Sequence, residues 1–231
     1  MENIANQRGT RLQVLNAGDI SWASGHINVR TREEIPLLKP DYAIFYEGIN
    51  EEDNIARLQA EGVDVAKALA EGKYGLFNRS IIQAQWLYRN SMLFKAYYQY
   101  LSKDLARLIG GDTRLDLAPT PQPLARQHFR LTVLAIVRYW KEQGVRPIFV
   151  VQASVDPSDP FLRRVTSYSR LLMDEAAAAG AIVVDGQDVV NAYAGDKHDL
   201  FYSTGVHWSA LGARLFAAHI FERVAAASSW R

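Results

Sequence analysis

The chain has 231 residues, a formal net charge of +1 and no cysteine. That length suits one domain with a sizeable core, and near-neutral charge speaks against nucleic acid or a membrane surface as a partner held by bulk charge. The lack of cysteine excludes disulfides, thiolate metal sites and a cysteine nucleophile.

In chain order, residues 11–16 (RLQVLN) form the first strand candidate, closed by Gly18. A helix follows over about 22–38 and stops near Lys39–Pro40, because proline disfavours helix in the residue before it. Residues 41–48 (DYAIFYEG) are continuously apolar in their middle, the mark of a strand buried on both faces. Residues 52–71 read as a helix, and 81–109 as a long helix rich in aromatics, ended by Gly110 and Gly111. Residues 112–123 carry three prolines and read as a loop. Helix resumes over 124–143. Residues 146–152 (RPIFVVQ) are a third strand, 161–179 a helix and 181–185 (AIVVD) a fourth strand. The last helix spans 209–227, with Ser209 placed as its N-cap.

Strands alternating with helices predict an α/β fold with a parallel, doubly wound sheet. The expected organisation is one domain over 1–231 with a helical insertion at about 75–124. In such sheets function gathers past the carboxyl ends of the strands. Three segments satisfy that rule: 16–24, 48–53 and 185–207.

Within them, Asn50 follows a buried strand through Gly48, where a side-chain NH2 suits stabilisation of an oxyanion. A turn-closing or capping Asn is the plainer reading. His207 lies on a strand-to-helix loop, just before Ser209, where a histidine can act as general base. A structural or surface histidine is the plainer reading there. His26, His128, His198 and His219 have no comparable context, and no spacing marks a metal site. Neither a metal nor a cofactor is expected.

Three segments, in order, resemble the SGNH hydrolases, the GDSL-type esterase and acylhydrolase family. VLNAGDISWASG is similar to the family's second block, KPDYAIFYEGINEED to its third, and LFYSTGVHWSALGARLFA to its fifth. The resemblance implies a three-layer, flavodoxin-like sheet flanked by helices, and serine-type hydrolysis or transfer of an acyl ester. His207 matches the base and Asn50 the side-chain oxyanion donor. Ser21 falls where the second-block glycine supplies a backbone N–H, and Gly48 belongs to the third-block turn. Thr204 stands where the family has an aspartate that orients the histidine, and Glu51 replaces the usual aspartate after Asn50. Asp196 or Asp199 could orient the ring instead, at a spacing foreign to the pattern. The first block, a strand ending in Gly-x-Ser, has no counterpart ahead of Leu15, so the sheet is expected to lack or replace its first strand. If Gly18-Asp19-Ile20-Ser21 served as that block, Ser21 or Ser24 would be the nucleophile.

The implied partner is a small acyl ester or an acylated carbohydrate or lipid. A non-catalytic binding or scaffold protein on the same fold is the alternative. A nucleotide-binding or response-regulator domain shares the fold class, but the chain has no phosphate-cradling glycine loop and no paired N-terminal acidic residues. No apolar run approaches the roughly 20 residues that span a bilayer, and MENIANQRGT lacks the apolar stretch of a signal peptide. As written, the chain is expected in the cytoplasm.

Overall fold

The computed structural model describes residues 1–9, 11–18, 22–48, 50–77, 91 and 122–227. Three parallel strands form the sheet: β1 (Tyr42–Phe45), β2 (Arg146–Val151) and β3 (Ile182–Asp185). Their order is β1-β2-β3, with Ile44 opposite Ile148, and Ile148 opposite Ile182. The helices are α1 (Glu2–Gln7), α2 (Ser24–Leu38), α3 (Glu51–Ala60), α4 (Val65–Ala70), α5 (Pro123–Glu142), α6 (Pro160–Arg170), α7 (Met173–Ala178), α8 (Gln187–Ala192) and α9 (Ala210–Ala227).

Side-chain alternation along β2 builds the layers. Successive residues of a strand face opposite sides of the sheet. Phe149 and Val151 join one core with Phe45, Phe129, Val133 and Trp140. Ile148 and Val150 join another with Val184, Phe216, Ile220 and Val224. The sheet thus carries helices on both faces, and its central strand is buried almost throughout. A fully buried Phe such as Phe149 contributes roughly 1.5–3 kcal/mol by leaving water. α5 fits its place because Phe129, Val133, Ile136, Val137 and Trp140 recur at helical spacing and are all buried. Pro123 occupies its first turn, where no backbone N–H is needed.

Several expectations need correction. Residues 11–16 are irregular, with Val14 at 43% and Leu15 at 57% exposure. A strand is stabilised by its ladder, and no described strand pairs with this segment; the backbone N–H of Val14 goes instead to Glu2 Oε1 at 2.5 Å. β1 is shorter than expected and is not buried on both faces: Ile44 is 41% exposed. Among the described residues β1 pairs only with β2, which leaves its outer edge without the cover a central strand would have. The helix expected over 52–71 is two helices, α3 and α4, separated by a turn at Gly62. The one expected over 161–179 is likewise split into α6 and α7 at Leu171 and Leu172. α2 ends as expected before Pro40, with Lys39 in the left-handed region at φ 46°. The helix expected over 81–109, and most of the proline-rich loop after it, lie outside the described residues.

Candidate active site

Asn50 lies on the loop that leaves the carboxyl edge of the sheet at the end of β1; His207, expected on a strand-to-helix loop, instead lies between a 3-10 turn (Lys197–Leu200) and α9, with α8 standing between it and β3. Asn50 lies five residues past the end of β1 and precedes the first turn of α3. The His207 loop is tied to that edge at two points. Val155, just after β2, donates its N–H to the carbonyl of Gly205 at 2.9 Å. Trp208 Nε1 donates to the hydroxyl of Tyr46, the first residue after β1, at 3.0 Å. The Trp208 ring stacks on Phe201 at 4.6 Å and on Phe216 at 4.8 Å between centroids. This wedge anchors the residue next to His207.

His207 itself is exposed. Its Nδ1 lies 2.7 Å from Thr204 Oγ1, which also accepts the His207 backbone N–H at 3.3 Å. Thr204 therefore stands against the ring where the resemblance puts an orienting aspartate. Of the candidate substitutes, the Asp196 carboxylate caps the N–H of His198 at 3.0 Å, and Asp199 is tied to the last helix through its backbone carbonyl, which accepts from Ser209 Oγ. Ser209 Oγ in turn accepts the N–H of Gly212 at 3.2 Å, the N-cap expected for the last helix.

Asn50 is half-buried. Its Nδ2 donates to the Trp22 carbonyl at 3.1 Å and, more loosely, to Glu47 Oε2 at 3.4 Å. Its backbone N–H donates to Glu47 Oε1 at 3.0 Å. Both neighbours of Nδ2 are acceptors, which fixes the amide's orientation. Gly48 is packed so tightly that an added Cβ would lie 3.0 Å from Gln152 Oε1 and 3.2 Å from Tyr168 Cβ. Ser21 lies outside the described residues. Ser24 is fully buried, with its N–H on Glu51 Oε2 at 3.1 Å, so it is closed to a substrate in solvent. Asn16 Oδ1 accepts the N–H of Gly18 at 3.0 Å and closes its own turn.

A buried polar layer beneath Asn50 is absent from the sequence reading. Glu47, Glu51 and Glu52 are all buried. Glu51 meets Nδ1 of the fully buried His128, and Glu52 pairs with buried Arg164 and accepts from the Tyr168 hydroxyl. Charges survive burial only when paired and hydrogen-bonded, and two of these three carboxylates meet that condition with cationic or imidazole partners. Among the described residues Glu47 has neither, and burial is the main force that pushes its pKa up to about 7; the backbone N–H groups of Asn50 and Gly48 pull it down, and Glu51 adds to the rise. Burial likewise pushes the Tyr46 hydroxyl up to about 12. The one signal in the sequence was a glutamate at the end of an otherwise apolar strand segment, with two more just after Asn50.

In comparisons with known proteins, no family model, curated protein or solved structure matches the chain. Among the described residues there is no cluster of metal-ligating side chains, and no helix is long and apolar enough to cross a membrane.

Proposed function

We propose that the chain is an acyl-ester hydrolase or transferase of the SGNH, GDSL-type kind, built on a flavodoxin-like sheet. The observation that carries this reading is the contact between Thr204 Oγ1 and His207 Nδ1, at the three-residue spacing of the resemblance, on a loop tied to the carboxyl edge of the sheet. With the Nδ1 hydrogen given to Thr204, Nε2 keeps its lone pair. It takes the proton of an attacking hydroxyl, which is a serine's in the family that the sequence resembles. The hydroxyl oxygen bonds to the acyl carbon, the carbonyl oxygen becomes an oxyanion and Asn50 Nδ2 donates to it. Collapse of that intermediate breaks the ester bond, and His207 returns its proton to the departing alcohol. Thr204 orients the ring but brings no charge to the imidazolium, so the site is a weaker version of a charged triad. The substrate is a small acyl ester or an acylated carbohydrate or lipid.

Hydrolysis of p-nitrophenyl acetate tests this. The reading predicts that His207→Ala lowers the rate about a thousandfold or more. Equal rates for the two proteins remove the role given to His207.

A second reading, a binding or scaffold protein without turnover, is favoured by one observation: both hydrogens of Asn50 Nδ2 are already engaged. Covalent labelling by a fluorophosphonate probe would count against that reading. Thermal stabilisation by an acylated sugar without turnover would favour it.

A further inference from the structure

The two hydrogen bonds from Asn50 Nδ2 are unequal. The one to the Trp22 carbonyl, at 3.1 Å, ties the amide to the start of α2. The one to Glu47 Oε2, at 3.4 Å, is at the long limit of a hydrogen bond. The second hydrogen is therefore the one a ligand can take. Glu47 holds the residue from two sides at once, because its other oxygen accepts the Asn50 backbone N–H at 3.0 Å.

We infer that Glu47 is the positioning residue of Asn50: its carboxylate fixes the amide, and protonation of that carboxylate frees the second amide hydrogen for an anionic ligand atom. The consequence for catalysis rests on the hydrolase reading; the coupling between the two side chains does not. An ionised Glu47 competes for the hydrogen and repels a developing oxyanion. A neutral Glu47 accepts more weakly and carries no charge to repel it.

The surroundings of Glu47 permit such a change of state near neutral pH. The carboxyl is buried, and its pKa is pushed up to about 7. The charge that acts on it from α3 is Glu51, which opposes ionisation. Glu51 is in turn bound to His128 of α5 and to the Ser24 N–H of α2. The other charged pair of the layer is Glu52 of α3 with Arg164 of α6, and Glu52 also accepts from the Tyr168 hydroxyl. Arg164 pairs with Glu52, and among the described residues neither it nor any other cation is one of the groups that shift Glu47. Tyr46, the neighbour in sequence, bonds instead to Trp208 beside the His207 loop.

Side-chain amide NMR of the full-length protein from pH 5 to pH 9 tests the coupling without reference to activity. The Asn50 NH2 signals of the wild type should titrate with a midpoint near 7. In Glu47→Gln, which keeps the shape and loses the ionisation, they should not move. Constant Asn50 signals in the wild type, or the same titration in Glu47→Gln, overturn the inference. Should Glu47→Gln not fold, the carboxyl carbon signal of wild-type Glu47 decides: it must move with the same midpoint as the Asn50 amide. If the hydrolase reading is right as well, the rate on p-nitrophenyl acetate should fall about tenfold per pH unit above that midpoint. That limb should be missing in Glu47→Gln. A protein with no esterase activity but a titrating Asn50 amide would retire the hydrolase reading and leave the coupling intact.

Discussion

Glu47 is the residue with the most to reveal about this site, because its environment works against its charge. It sits two residues past the end of β1, buried, with backbone N–H groups as its main support and, among the described residues, no cation beside it. The folded state therefore binds its proton more tightly than the unfolded chain does. A carboxyl whose pKa rises on folding stabilises the native state at low pH, and that contribution disappears as pH rises through the folded value. Below the ordinary value of 4.5 it is fully present; it is lost as pH climbs to about 7, and stability is then flat with respect to this group. The difference corresponds to about 3 kcal/mol. Urea denaturation of the wild type should show that fall between pH 4.5 and 7, and Glu47→Gln should show much less of it. Equal pH dependence in the two proteins would mean that Glu47 is solvated and ordinary. The same residue marks the limit of the sequence reading. Thr204 and His207 could be matched because they are three positions apart in one loop. Glu51 and His128 are 77 positions apart, and Glu52 and Arg164 are 112 apart, so no local pattern announces either pair.

Among the elements, α9 shows how a loop residue gains a fixed position. The helix starts at a capped N-terminus, with Ser209 Oγ on the N–H of Gly212. Gly212 lies flat against the carbonyl of Leu200, and a Cβ there would overlap that oxygen. The glycine that the fifth-block resemblance includes is thus a point of close approach, which draws the helix onto the turn leading to His207. Gly212→Ala should destabilise the protein by about 1–3 kcal/mol, the usual range for overpacking. It should also lower any activity that depends on His207. A denaturation midpoint unchanged by the methyl would show that the approach is looser than described. Elsewhere, element type was legible and extent was not. RPIFVV is rich in β-branched and aromatic residues, and it forms the central strand as expected. RLQVLN has only Val14 as a β-branched residue, no aromatic, and no described strand to pair with, so its apolar positions alone did not make it a strand. The interruptions between α3 and α4, and between α6 and α7, come from turns that a periodic apolar pattern runs straight through.

Across the whole molecule, three parallel strands send their carboxyl ends in one direction, and the two faces are closed by separate cores. Function on such a sheet is expected at that end. Here the Asn50 and His207 segments come from 157 residues apart in sequence (207 − 50), one leaving that edge and the other tied to it. Tyr46 reaches the His207 loop through Trp208, and Glu47 holds Asn50, so consecutive residues after β1 serve the two sides of the site. The account stands on those two side chains acting as one unit, and groups that act as a unit do not lose activity additively. The direct measurement is the rate of p-nitrophenyl acetate hydrolysis by the wild type, Asn50→Ala, His207→Ala and the double variant. Asn50→Ala should cost about a hundredfold to a thousandfold, and the double variant should be no slower than His207→Ala alone. A rate unchanged by either single substitution, or losses that multiply in the double variant, would contradict it.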